Sequence, residues 1–171
     1  MYKFHLIKRI FTRKERREFI KKVDPLLEEN SSYLHDIAPG KYPGRQTLPD
    51  LHLNSNFKFE HDRLMKRILD KTGFHMEIDK SWVNWTDCSK KDINWHNHNN
   101  CPYTCVYYLK TIPFFTSGSM FRHGFVRAPE NSLLLFPGSV EHAIPTFPLR
   151  FGRYTLAMDL HLKILGPMRD E

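Results

Sequence analysis

Ile93-Asn94-Trp95-His96-Asn97-His98-Asn99-Asn100-Cys101-Pro102-Tyr103-Thr104-Cys105-Val106-Tyr107-Tyr108-Leu109 reads as two strands, over 92–98 and 103–111, because aromatic and β-branched residues crowd both sides of a turn-forming Asn-Asn pair. Alternate side chains of a strand share a face, so His96 and His98 project to one side while Trp95 and Asn97 face the other. Two imidazoles placed this way can converge on one ion. Imidazole suits iron, copper, nickel and zinc, and a site with open positions is what oxygen chemistry or hydrolysis needs. A third donor must come from elsewhere. Phe136-Pro137-Gly138-Ser139-Val140-Glu141-His142 offers His142 directly after an apolar strand and a Pro-Gly turn. Any one of these histidines alone fits a surface or a hydrogen-bonded core position; the three together form a candidate metal site.

Outward from this stretch the texture is the same, with short aromatic and β-branched runs at 75–86, 119–127, 132–136 and 151–162. Strands at such close spacing predict a sandwich or barrel, of which the jelly roll is one standard form. Residues 74–165 are expected to form this β core, and 1–73 a helical N-terminal support, within a single domain spanning 1–171. Thr12-Arg13-Lys14-Glu15 is a capping-box pattern, followed by Phe19, Ile20, Val23, Leu26 and Leu27 at helical spacing. Pro25 is expected to bend or restart that helix. A Pro/Gly-rich connector, 38–44, leads to a second amphipathic helix carrying Phe57, Leu64, Met65, Ile68 and Leu69, which ends near Gly73. Gly44-Arg45-Gln46-Thr47 reads either as a plain loop or as part of a substrate-facing lid.

With 171 residues the chain is long enough to bury a continuous core, and 13% aromatic residues favour strands and a lined pocket. Cys88, Cys101 and Cys105 have no CxxC spacing, so neither disulfides nor a structural zinc site is expected. Charge interrupts every apolar stretch near the N-terminus, leaving no signal-peptide core or membrane span and predicting a cytoplasmic, soluble protein. The net charge of +7 is concentrated between Lys8 and Lys22. It reads as a solvated helix face, with attraction to nucleic acid as the lesser alternative.

These segments resemble the Fe(II)- and 2-oxoglutarate-dependent oxygenases, in particular the prolyl-hydroxylase-like branch, over about half the chain, from Trp82 to His161. Thr104-Cys105-Val106-Tyr107-Tyr108-Leu109 is similar to the strand in which a Tyr before Leu reaches the distal carboxylate of 2-oxoglutarate, which implies that role for Tyr108. Ser117-Gly118-Ser119-Met120-Phe121-Arg122 resembles the family's glycine-containing turn. Asn131 to Pro137, then His142, resembles the strand and turn that deliver the distal iron-binding histidine. Arg153-Tyr154-Thr155-Leu156-Ala157-Met158 is similar to the strand whose arginine pairs with that carboxylate. A buried carboxylate needs a permanent cation donating two parallel hydrogen bonds, which arginine supplies. Thr155 shares the face of Arg153 and adds a donor, while Arg150 competes for the same role. Trp82-Val83-Asn84 resembles the strand before the metal motif, placing Asn84 beside the co-substrate.

The resemblance implies a mainly β protein with flanking α-helices, a double-stranded β-helix of the jelly-roll, cupin-like type. It also implies a dioxygenase holding Fe(II) through His96, His98 and His142, with 2-oxoglutarate as co-substrate and molecular oxygen as oxidant. The implied outcome is hydroxylation of a small molecule or a protein side chain. The family's usual motif is His-x-Asp or His-x-Glu, and this chain departs from it. Either His96 and His98 both bind, giving three neutral ligands, or His98-Asn99-Asn100 is the motif with Asn100 in the acid's place. Two alternatives stand beside the oxygenase: a cupin-like three-histidine metalloenzyme that does not use 2-oxoglutarate, and a non-catalytic binding protein with a degenerate metal site. The second arginine that nucleic-acid demethylases of this class carry is missing, with Asp159 nearby, so nucleic-acid repair is not expected.

Overall fold

A computed structural model of the chain describes residues 3–29, 44–87, 95–112, 117–146 and 152–163. Its larger sheet has six strands in the order β1-β7-β4-β9-β3-β2. Their ranges are β1 His5–Lys8, β2 Gly44–Gln46, β3 Met76–Asp87, β4 Tyr103–Lys110, β7 Ser132–Pro137 and β9 Gly152–Leu162. The smaller sheet, in the order β6-β5-β8, is built from β5 Gly118–Phe121, β6 Gly124–Arg127 and β8 His142–Ala143. The paired strands of both sheets run antiparallel.

Strand alternation sorts the core into two layers. On one face of the large sheet Val83, Cys105, Tyr107, Leu133, Leu135, Leu156, Met158 and Leu160 pack with Phe19, Val23, Leu27, Leu64 and Ile68 of two helices, α1 Arg13–Glu29 and α2 Lys58–Thr72. On the other face Val106, Tyr108, Leu134 and Phe136 pack with Phe121, Ala128 and Val140 in the smaller sheet and its connections. β4 is therefore buried on both sides through its centre, which is why it reads as an unbroken apolar run rather than an alternating one. Each large apolar side chain placed in these layers contributes about 1.5–3 kcal/mol relative to exposure.

The capping box forms as expected: the Thr12 amide donates to Glu15 Oε2 at 2.7 Å and the Glu15 amide to Thr12 Oγ1 at 3.2 Å. Helix α1 continues through Pro25, where a bend or restart was expected. Leu27 is buried beyond the proline, Leu26 packs against the core, and Asp24 accepts a bond from the Tyr154 hydroxyl at 3.0 Å. These contacts outweigh one lost backbone bond near the end of the helix. Helix α2 ends at Gly73, whose φ of 74° closes the last turn with its amide on Leu69 O at 2.8 Å. Some of the basic face of α1 is used internally, with Arg16 paired to Glu130 and Lys22 to Glu60.

The strand pattern differs from expectation in three places. The 119–127 run folds back on itself as β5 and β6. Residues 92–94 of the expected 92–98 strand lie outside the described residues, and within the described part, 95–98, the pairing is an isolated bridge from His96 to His142. The first 73 residues also contribute β1 and β2 to the large sheet. Cys101 and Cys105 are buried free thiols, while Cys88 falls outside the described residues. Among the described residues no helix is long and apolar enough to cross a membrane.

Candidate functional site

The concave face of the large sheet presents its chemistry in rows fixed by register. On β9 the residues facing the smaller sheet are Arg153, Thr155, Ala157 and Asp159, each two apart. Across β3 they stand opposite Thr86, Asn84, Trp82 and Lys80. Across β4, Thr155, Ala157 and Asp159 stand opposite Tyr108, Val106 and Thr104. A cavity of about 180 Å³ opens above these rows, lined by Gln46, Trp82, Asn84, Thr104, Val106, Ser119, Arg153, Thr155 and Ala157 together with His96, His98 and His142.

Backbone geometry draws the three histidines together. The His96 amide donates to His142 O at 3.1 Å and the His142 amide to His96 O at 2.9 Å, so the two residues are locked side by side. His98 reaches the same place by a different route: its amide donates to Gly138 O at 2.7 Å, while the Gly138 amide donates to Pro102 O at 3.0 Å. Any Cβ on Gly138 would lie 2.2 Å from Cys101 O and 2.5 Å from His98 O, so the turn before His142 and the turn after His98 dock only because residue 138 has no side chain. The ligand atoms of His96, His98 and His142 all lie within 4.8 Å of one another. Nitrogens bound at about 2.1 Å to one ion sit roughly 3 Å apart, a spacing small ring movements reach. Asn100 is exposed and outside this cluster, so the geometry favours the three-histidine alignment.

Hydrogen bonds select which ring nitrogen faces inward. His142 Nδ1 lies 3.1 Å from Val140 O and donates to it as the Nδ1–H tautomer, leaving Nε2 as the free donor atom. Burial, then the neighbouring His96, pushes the pKa of His142 down to about 3, so the ring is the neutral form that metals bind. His98 Nδ1 lies 2.7 Å from Asp159 Oδ1, which leaves its Nε2 inward as well. Trp82 stacks on the His98 ring with centroids 5.7 Å apart. Cys101 is no rival donor: burial first, then the Asp159 charge, raises its thiol to about 12. Three imidazole nitrogens on one side of a cavity suit a borderline divalent ion such as Fe(II), with coordination positions left over.

Away from the histidines the cavity is lined by Arg153, only 2% exposed. Its Nη2 donates to Gly118 O at 2.9 Å, and its guanidinium lies 5.3 Å from the centre of the Tyr108 ring. Thr155 is buried beside it and Asn84 is Thr155's cross-strand neighbour. The Tyr108 hydroxyl is bonded to Ser119 Oγ at 2.8 Å, and it is Ser119 that lines the cavity. Tyr107 faces the helices, its hydroxyl donating to Asn131 Oδ1 at 2.9 Å, so the two tyrosines divide between core and site. Arg150 lies outside the described residues. Two further residues belong to the site, one from a segment with its loop and lid readings open and one that the sequence did not single out. Gln46 lines the cavity from β2, within the segment read as a loop or lid, and Asp159 faces His98 from β9; the i, i+2 rhythm 153-155-157-159 was the available signal for the latter.

No protein-family model matches the chain, and no curated protein matches it in sequence. Solved structures match it closely in shape. HygX from Streptomyces hygroscopicus, solved with nickel and 2-oxoglutarate bound, superposes with a TM-score of 0.64 at 14% identity, covering 95% of this chain and 83% of that one. EctD from S. alaskensis with bound Fe gives a TM-score of 0.68 at 15% identity, covering 92% and 72%. The non-haem α-ketoglutarate-dependent epimerase SnoN from nogalamycin biosynthesis gives 0.64 at 12%, covering 92% and 76%. The two facing antiparallel sheets and these superpositions establish the fold of this chain as the jelly roll, the double-stranded β-helix that the resemblance implied and one form of the sandwich or barrel that the strand spacing predicted.

Proposed function

We propose that the chain is an Fe(II)- and 2-oxoglutarate-dependent oxygenase acting on a small molecule or a protein side chain. The observation that carries this reading is the make-up of one cavity, lined by three convergent imidazoles and by a buried arginine and threonine on a neighbouring row. In this reading His96, His98 and His142 hold Fe(II), and the distal carboxylate of 2-oxoglutarate is received by the Arg153 guanidinium and the Thr155 hydroxyl. Two parallel charge-assisted bonds to a carboxylate require a cation that stays charged when buried, which excludes lysine as an equal substitute. Tyr108 braces this end through Ser119, and Asn84 and Gln46 form the side wall. When bound, the iron supplies the oxygen chemistry, coupling decarboxylation of 2-oxoglutarate to succinate with hydroxylation of a C–H bond.

The fold likeness supports this reading: HygX was solved with nickel, 2-oxoglutarate and hygromycin B bound, a metal and two small molecules together. A cavity of about 180 Å³ is below the roughly 300–1,000 Å³ of drug-sized pockets, so it suits a small dicarboxylate, with the substrate approaching from the mouth. Anaerobic reconstitution with Fe(II), followed by oxygen and 2-oxoglutarate, is expected to release succinate. Absence of both turnover and binding of 2-oxoglutarate would overturn the reading. The all-neutral donor set favours one alternative, a three-histidine metalloenzyme that does not use 2-oxoglutarate. Arg153→Ala separates the two, since it abolishes co-substrate binding in the first and leaves activity nearly untouched in the second.

A further inference from the structure

We infer that Asp159 is the carboxylate of this metal centre, placed outside the ligand set as the positioning residue for His98. This deepens the reading above and rests on its metal site. Asp159 Oδ1 lies 2.7 Å from His98 Nδ1, and the two side chains are only 13% and 12% exposed. The same oxygen lies 3.2 Å from the Thr104 hydroxyl, which also points to Met158 O at 3.1 Å. Thr104, itself tied to the Asp159 strand at Met158 O, thus fixes Asp159 from the neighbouring strand, the buried Cys101 thiol lies against it as well, and the ring it faces is a candidate ligand.

A histidine between a carboxylate and a metal is held in one tautomer and made a better donor, because the carboxylate accepts the Nδ1 proton and stabilises positive charge on the ring. That arrangement has a particular use here. Three imidazoles bring no negative charge to a divalent ion, so a buried cation would have to be compensated by the co-substrate alone. Asp159 places one negative charge against the site, and its field is also felt at His142. His142 has only a neutral carbonyl behind its Nδ1, so the anionic support falls on His98. The Trp82 ring against His98 covers the imidazole and limits the water that would weaken the ion–dipole contact.

The test is Co(II) affinity, measured by competition with a chromophoric chelator, for wild type, Asp159→Asn and Asp159→Ala, with thermal melts of the metal-free proteins alongside. Loss of such an outer partner typically weakens metal binding about 10- to 100-fold, and that range is expected for Asp159→Ala. Asp159→Asn keeps an acceptor oxygen and is expected to fall between the two, with the ligand-field spectrum of bound Co(II) unchanged in pattern. Affinities of a folded Asp159→Asn within twofold of wild type would overturn the inference, whether or not the alanine variant folds. So would a changed coordination spectrum, which would make Asp159 itself a ligand. Wild type that takes up no Co(II) would instead refute the metal reading as a whole, and does so without any variant.

Discussion

Substituting Gly138 by alanine is the sharpest single perturbation of the site that leaves every candidate ligand in place. The new Cβ would sit 2.2 Å from Cys101 O and 2.5 Å from His98 O, both backbone atoms that cannot rotate away. Relief to ordinary contact demands a separation of about 1 Å between the two turns, which overpacking data put at about 1–3 kcal/mol. The same movement strains the His98 amide bond to Gly138 O at 2.7 Å and the Gly138 amide bond to Pro102 O at 3.0 Å, each worth about 0.5–1.5 kcal/mol. A loss of about 3 kcal/mol lowers the melting temperature of a chain this size by roughly 6–12 °C. Because one of the displaced turns carries His98 and the other leads into His142, Co(II) affinity should fall at least tenfold as well. Gly73→Ala is the control: it forces a side chain into a positive φ of 74° with nothing within 4 Å, costing about 1–2 kcal/mol while leaving metal affinity alone. A Gly138→Ala protein that melts and binds Co(II) like wild type would refute the docking of the two turns.

Three other expectations follow from the same geometry. If Arg153 receives 2-oxoglutarate as proposed, Arg153→Ala removes two charge-assisted bonds of about 1.5–3 kcal/mol each, so calorimetric titration of 2-oxoglutarate into the Ni(II)-loaded protein should show a loss of a hundredfold or more. Arg153→Lys should recover little of it, and unchanged affinity would shift the case to the alternative without co-substrate. Tyr108→Phe deletes the bond to Ser119 and should cost about 1–3 kcal/mol in urea-melt stability but less than tenfold in 2-oxoglutarate affinity. A far larger affinity loss would mean that the hydroxyl touches the carboxylate directly. Acid should destabilise the metal-free protein, since burial lowers the pKa values of His142 and His61. The unfolded chain takes up their protons first as pH falls through about 6.5, so stability present above that value is lost below it. At pH 5.5 His142 alone removes about 1 kcal/mol, with His61 acting in the same direction and the loss at His142 continuing toward pH 3. A urea midpoint unchanged between pH 7.5 and 5.5 would contradict this.

What the sequence disclosed and what it withheld divide along physical lines. His142 was legible because a Pro-Gly turn after an apolar strand leaves few places for the next side chain to go. The β4 segment was legible because burial on both faces writes an unbroken apolar run. The approach of His96 and His98 was anticipated on strand alternation, yet the structure achieves it with an isolated bridge and a turn, so the correct convergence came through a different backbone. Gln46 stayed undecided between loop and lid because a three-residue edge strand owes its conformation to its pairing with Asn84, Trp85 and Thr86, not to its own propensity. Asp159 was hidden for a related reason: a lone acid in an apolar strand announces burial, but only the fold brings it to His98. Pro25 shows the converse, a strong local signal overruled by tertiary contacts.

The most direct test of the account is an anaerobic titration of 2-oxoglutarate into the protein with and without one equivalent of Fe(II), followed by visible absorption. A charge-transfer band is expected that saturates at one 2-oxoglutarate per chain, requires the metal, and disappears in His142→Ala. Binding that ignores the metal, or an iron-loaded protein that develops no band, would contradict it.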